Sequence, residues 1–513
     1  MEIAAPAFPA VRLGRRYSFA QKLILGTLLV TLADHLFFFQ RLGATLGIFA
    51  AALTGAILVA TPAIGRSRDG LVAAALALLY ALLLADDPSV LALALFALAA
   101  TLAALLPRTR GFDDGWRWAK RLLLHAFFSA LAPFMDWARL RQARRRRGPA
   151  RLGRLIPVLI LPIVGSLVFL ALFSAANPLI ESAFSRIDLA ILLGRFSVVR
   201  LLFWFVMVLA VWSLLRPAHA LIAPRRFRTP APALPGAGAT SIALSLLAFN
   251  AVFALQNGLD IAFLWSGAPL PAGMTLAEYA HRGAYPLIAT ALLAALFVLV
   301  ALRPGSETAR SAPIRRLVYL WIGQNIFLVA STMLRTADYV EAYSLTRLRI
   351  AALAWMALVA VGLALICVRI WREKSGAWLI NANLAAALLV LTAGSTVDLG
   401  AVAAAWNVRH AREAGGRGAG LDYCYLWILR SSALLPLVEL ESRPLPPPVR
   451  ARLSWLRNVA MDRLETSQGD WHGWTFRGAR RLREANRLVA ARRLPRVHGD
   501  LRPCGFDTAP RGM

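Results

Sequence analysis

Residues 349–370 read RIAALAWMALVAVGLALICVRI. From Ile350 to Val368 no side chain carries a charge. A helix rises about 1.5 Å per residue, so this run covers most of the roughly 30 Å hydrocarbon core of a bilayer. With no water in that core, each backbone amide must find its partner within the protein, and a helix supplies one inside the segment. A transmembrane β-strand would be shorter and would alternate apolar with polar positions. The run is a membrane-spanning α-helix, and the chain repeats its pattern.

Comparable Leu/Ala-rich runs fall at 18–39, 42–64, 70–85, 89–106, 155–175, 197–215, 241–264, 285–303, 314–335 and 377–397. Apolar residues make up 58% of the chain and charged residues 16%, and the mean hydropathy is +0.60. A water-soluble protein needs more charge than this to cover its exterior, whereas lipid solvates the outside of a bundle. The expected fold class is all-α: a polytopic transmembrane helical bundle of about 11 spans with a small C-terminal helical domain. The first run follows Arg12, Arg15, Arg16 and precedes no small-residue cleavage site, so it is expected to stay as an uncleaved helix. Asp86-Asp87-Pro88 predicts a tight hairpin between the third and fourth spans.

The net charge of +30 does not point to nucleic acid. Most of the Arg lies in short connections between apolar runs, without the aromatic interleaving of a nucleic-acid module. Its distribution sets an orientation instead. With residues 1–17 as a cytoplasmic tail, the inward-facing segments carry 30 Lys and Arg and the outward connections carry 7. The expected location is the inner (plasma) membrane, with residues 398–492 a C-terminal helical domain on the periplasmic side and 493–513 a disordered tail. That last region holds 19 Arg of its own, which the charge rule tolerates in long segments.

Residues 107–154 form the most basic connection, between the first four spans (18–106) and a seven-helix core (155–397), and end in Arg144–Arg147. Trp116 to Leu140 mixes Trp, Phe and Leu with Lys120, Arg121 and Arg139. That composition predicts an interfacial helix, apolar side in the bilayer and cations toward anionic lipid headgroups. In the C-terminal region, Leu421–Leu440, Pro448–Leu464 and Asp470–Ala490 carry apolar residues at helical spacing, with Asp470 the expected N-cap of the last. Gly415–Gly420 reads as a flexible joint before them.

No phosphate-binding loop, dinucleotide fingerprint or paired-His zinc helix occurs, and the seven His and three Cys show no metal-ligand spacing. No metal site and no cofactor are expected. Cys424 and Cys504 can pair if the C-terminal region is external and oxidised.

Polar residues inside spans carry more information, because they are costly in lipid. Asn250, Gln256, Asn257 and Asp260 crowd one end of the seventh span, and Gln324 and Asn325 sit in the middle of the ninth. Either they tie helices together by hydrogen bonds or they line a polar cavity. A second cluster joins the ninth and tenth spans: Arg335, Asp338, Tyr339, Glu341, Tyr343, Arg347 and Arg349. Its Arg residues can grip phosphate or carboxylate in a forked geometry. Asp338 or Glu341 can equally neutralise them in an internal network.

The segment Tyr339-Val340-Glu341-Ala342-Tyr343-Ser344-Leu345-Thr346-Arg347-Leu348-Arg349, leading into Trp355-Met356, resembles an uncharacterised family of bacterial multi-pass membrane proteins known only as a domain of unknown function. Asp398-Leu399-Gly400 with Trp406-Asn407-Val408, and Leu421-Asp422-Tyr423 through Leu435-Pro436, are similar to further segments of that family. The likeness covers about Leu155 to Leu440. The family often has Gly where Ser344 stands, a basic residue for Ala405 and Tyr for Trp406. The resemblance implies a polytopic membrane protein and supplies no substrate.

Three functions fit this reading. The first is a non-enzymatic envelope assembly or signalling component whose C-terminal helical domain engages a protein partner. The second is a transporter of a small solute or lipid using the intramembrane polar residues. The third is an enzyme acting on a lipid-linked substrate at the outer leaflet, using Asp34, Asp86, Asp87 or the 335–349 cluster; this rests on architecture alone.

Overall fold

A computed structural model describes residues 19–138, 197–217, 238–265 and 310–495, apart from 110, 130 and 137, together with isolated helical positions at Ser166, Thr290, Leu293 and Phe297. The expected spans at 155–175 and 285–303, Arg144–Arg147 and Cys504 lie outside the described residues. The described residues are almost all in helices and the turns between them, with no strand among them. Among the described residues, eight helices are long and apolar enough to cross a bilayer.

The first four helices form one packed unit. They are α1 (Phe19–Phe37), α2 (Thr45–Ala60), α3 (Arg68–Asp86) and α4 (Val90–Leu105). Small side chains decide how closely they approach: Ala73, Ala77 and Ala81 of α3 and Ala92, Ala99 and Ala103 of α4 are all buried. Lipid gives helices no hydrophobic reason to associate, so close van der Waals contact between small residues must supply it. The hairpin at Asp86-Asp87-Pro88 forms, with the Ser89 hydroxyl capping α4 through the Ala92 amide. The second span is shorter than expected. Pro62 starts a 3-10 turn, Pro62–Arg66, and α2 itself ends at Ala60.

Helix α5 (Gly115–Ser129) covers the first part of the interfacial helix expected over Trp116–Leu140; residues 132–136 are helical too, and 130, 137, 139 and 140 lie outside the described residues. It buries Trp118 and His125 and exposes Trp116, Leu123 and Phe127. Its first amide donates to Asn381 at the start of α10 (Gly376–Thr396). Helix α6 (Val198–Leu215) packs against α1.

The second packed unit joins α7 (Ala239–Asp260), α8 (Ala312–Tyr343) and α9 (Arg347–Trp371), around Leu246, Val318, Ile322 and Leu363. Helix α8 has 32 residues. At about 1.5 Å per residue it outruns the hydrocarbon core by several turns. The expected corner at 335–349 is therefore mostly helix, and the chain turns only at Ser344.

Ser344 has φ 71° and ψ 163°, a region that costs a residue with a Cβ about 1–3 kcal/mol and glycine little. This is the position where the resembling family often carries glycine. Ser344→Gly is expected to raise stability by about 1 kcal/mol, read from the midpoint of thermal unfolding in detergent; an unchanged or lower midpoint would count against strain at this turn.

Beyond α10 come α11 (Leu399–His410), α12 (Tyr423–Ile428), α13 (Leu434–Glu441), α14 (Pro447–Gly469) and α15 (Phe476–Ala491). The single helix expected over Leu421–Leu440 is broken by a 3-10 turn at Arg430–Ala433. The last helix is capped by Thr475, whose hydroxyl accepts from the Gly478 amide, and not by Asp470. The glycine run is a closed turn: Gly416 and Gly418 donate back to the carbonyls of Ala411 and His410, both at 2.9 Å. The interior of these helices holds an Arg457–Glu441 ion pair at 2.8 Å.

Candidate functional site

Asn250 and Asn257 stand two helical turns apart on the buried face of α7, and Asp260 follows one turn later. Helix α8 runs beside them. The Asn250 amide donates to the Leu246 and Leu317 carbonyls at 2.8 and 3.0 Å, and its oxygen accepts from Gln324 at 2.8 Å. Asn257 donates to the Gln324 carbonyl at 3.2 Å. Gln256 reaches Asp260 at 3.1 Å, and Arg335 forms an ion pair with the same carboxylate. The two clusters marked in the sequence therefore meet: Arg335 of one neutralises Asp260 of the other.

This track holds acceptors in excess of donors. Asn257 Oδ1, Asp260 Oδ2 and Gln324 Oε1 are buried without a hydrogen-bond partner among the described residues. Groups left this way inside a membrane are costly, so the track is polar beyond what helix packing needs. Asn325 is not part of it, since its amide turns back to the Trp321 carbonyl at 2.8 Å.

The rest of the 335–349 cluster disperses. Arg349 lies over the Tyr339 ring at 4.1 Å and donates to the Tyr343 and Ser344 carbonyls, and Tyr339 and Tyr343 pack ring to ring at 4.9 Å. Arg347 leaves the membrane helices altogether: its backbone amide donates to the Tyr425 hydroxyl at 2.8 Å and its guanidinium to Ser432. A Cβ on Gly400 would collide with that guanidinium. The internal network through Asp338 or Glu341 does not form; neither makes an ion pair among the described residues.

Above the track, the C-terminal helices bind three inter-span turns of the bundle and the junction that follows α10, all on one face. At the α1–α2 turn, Ala44 donates to the Trp474 carbonyl at 2.6 Å, and Gly43 admits the carbonyls of His472 and Trp474 where a Cβ would collide. At the α3–α4 turn, Arg477 reaches Asp86 and Asp87 at 2.9 and 3.0 Å, and Arg480 reaches Asp86 at 2.7 Å. At the α8–α9 turn, Leu345 and Asn407 exchange two hydrogen bonds of 2.6 and 3.0 Å. At the α10–α11 turn, Asp398 accepts from Ala401, Ser432 and Arg481, while Arg477 also holds the Thr396 carbonyl at 2.9 Å.

Burial pushes the Asp398 carboxyl up, but the Ala401 amide, Arg481 and Ser432 outweigh it and hold the group below its ordinary value. A lowered native value adds stability above the unfolded titration, and that contribution is lost only as pH falls through the native one. The Asp398 contacts therefore persist through mild acid.

Sequence reading missed Arg477, Arg480, Arg481 and Asn407 as contacts. The spacing of the three Arg on one helical face was the available signal. Asp34, Asp86 and Asp87, considered above as outward acids, are each paired with Arg: Asp34 with Arg200, the other two with Arg477. Among the described residues no group of three or more His, Cys, Asp or Glu could hold a metal ion.

Apolar spans, a buried ion pair between them and helices bound across one set of turns define a multi-pass α-helical membrane protein. The model of the family described as a domain of unknown function, DUF4153, matches residues 70–440, well over half the chain, and the chain belongs to that family. No curated protein and no solved structure matches it. The matched range takes in the polar track and α11 to α13, and stops before α14 and α15, which carry the Arg contacts.

Proposed function

We propose that the chain is a non-enzymatic envelope component, for assembly or signalling, in which the C-terminal helices report or impose the arrangement of the membrane helices. The observation carrying this reading is the set of polar contacts from these helices to three separate inter-span turns, besides those at the junction that follows α10. A domain tethered by one linker moves independently of a bundle. One bound also at three inter-span turns moves with them, so a partner on its far side is coupled to the membrane. With the N-terminus in the cytoplasm of a bacterial inner membrane, this face is periplasmic, and the exposed residues of α15 are the surface offered to a protein partner. The basic connection at 107–154 then meets anionic headgroups on the cytoplasmic side.

The test is photo-cross-linking in living cells from a benzophenone amino acid at Arg487, whose side chain is 73% exposed. A discrete protein adduct is expected, and it should vanish when Arg477→Ala loosens the helices. Adducts to lipid alone, or an adduct indifferent to Arg477→Ala, would defeat the proposal. Paired reporter fusions after Gly420 and Met513 assign the side. A second reading, transport of a small solute or lipid, is favoured by the unpartnered oxygens of Asn257, Asp260 and Gln324. It requires Asn257→Leu to impair function while the Arg487 adduct stays intact.

A further inference from the structure

Apart from the track and the turn contacts, the described residues form a groove between α1 and α6. It encloses about 370 Å³, within the range of small-ligand sites. Gly26 makes the room: the nearest atom to a Cβ there would be a Trp212 ring carbon at 3.7 Å. Leu23, Val30, Val208 and Val211 supply apolar walls. Along α1 the lining runs from Leu23 to Asp34, a rise of about 16 Å. That is about half the hydrocarbon thickness, the depth of a single leaflet.

The polar end lies at headgroup level, on the side of the C-terminal helices. Asp34 closes it, receiving Arg200 Nε at 2.8 Å, Arg200 Nη2, and Trp204 Nε1 at 2.9 Å. The guanidinium stands over the Phe38 ring at 5.0 Å and its side chain stays 30% exposed. Asp34 occupies two of its nitrogens, and Nη1 has no acceptor among the described residues. Trp204 and the exposed Trp471, the latter beside His35 at 5.8 Å, add the aromatic rings typical of this depth.

We propose that this groove binds the acyl chain of a phospholipid from the leaflet on the side of the C-terminal helices, with the lipid phosphate against Arg200. The tail fits by length, because the groove is one leaflet deep and its polar end is Asp34, with the Arg200 guanidinium held on that carboxylate beside it. Lipid tails are as apolar as the groove, so packing against Gly26 and Trp212 and the hydrogen bond to Arg200 hold the lipid, not exclusion from water. Asp34 offsets the guanidinium charge and fixes its orientation, leaving one edge for a phosphate oxygen. This site is independent of the coupling proposed above.

The full chain is placed in nanodiscs of phosphatidylethanolamine and phosphatidylglycerol with a trace of phosphatidylethanolamine carrying a mid-chain diazirine. After illumination, labelled peptides are mapped by mass. Label is expected to concentrate on Leu23–Asp34 and Trp204–Trp212 and to fall about tenfold, the equivalent of 1.4 kcal/mol, in Gly26→Phe. Val208→Phe blocks the groove from the opposite wall, so a folding failure of one variant leaves the other decisive. Leu389→Phe, on a lipid-facing position of α10, should change nothing. Excess unlabelled phosphatidylethanolamine should compete in the native chain. A diacylglycerol probe with the same tails should label weakly, and equal labelling would overturn the Arg200 contact. Label spread evenly over exposed apolar positions, or undiminished in both blocking variants, would overturn the site.

Discussion

Replacing Arg335 with Met is expected to destabilise the bundle by about 3–5 kcal/mol, the usual result of breaking a buried ion pair from one side. The side chains of Arg335 and Asp260 are only 10% and 3% exposed. Without the guanidinium, Asp260 keeps Gln256 as its hydrogen-bond donor, and its second oxygen already has none. The carboxylate is then left buried with its charge uncompensated. Arg335→Met with Asp260→Leu removes both charges, and an apolar pair of similar volume is expected to restore most of the loss. Unfolding titrations of the four chains in mixed detergent give the coupling energy directly. A single-variant cost below about 1 kcal/mol is the behaviour of a solvent-exposed pair and would refute the buried one.

Arg477→Ala has the next largest effect, on the docking of the C-terminal helices. One guanidinium holds Asp86, Asp87 and the Thr396 carbonyl, joining two turns of the bundle, and its side chain is 14% exposed. Truncating such a residue costs about 2–5 kcal/mol when the pair is buried. Asp87 is half exposed and Arg480 still holds Asp86, so the low end, about 2–3 kcal/mol, applies here. Amide exchange in α14 and α15 should speed up about 30- to 150-fold if docking limits it, while exchange in α3 and α4 stays as in the parent chain. Arg477→Lys keeps the charge without the fork and should fall between the two. Unchanged exchange in α15 would mean that the remaining contacts suffice without Arg477.

Gly43 and Gly400 show why the turns matter. Each lies where another part of the chain passes too close for a Cβ, the His472–Trp474 backbone in one case and the Arg347 guanidinium in the other. Both are long-range approaches, and a glycine in an inter-span turn gives no sign of what will lie over it. Asn407 is similar. It stood in the segment resembling the family, yet its pairing with Leu345 needs α11 to fold back onto the α8–α9 turn.

The sequence by itself determined the class of structure. Runs such as 349–370 and 89–106 satisfy their own backbone hydrogen bonds and need only lipid around them, so each is decided locally. The polar residues Asn250, Asn257, Asp260 and Arg335 were also legible, because composition alone makes them exceptional in lipid. Pairing was decided only by the tertiary structure. Arg335 has acids three and six residues away, at Asp338 and Glu341, yet its ion pair is with Asp260 on another helix. A side chain's neighbours along its own helix are fixed by periodicity, whereas its partner across an interface depends on which helices pack and at what height. The same holds for the last helix: its apolar spacing announced a helix, and only the fold placed Arg477, Arg480 and Arg481 against Asp86, Asp87 and Asp398.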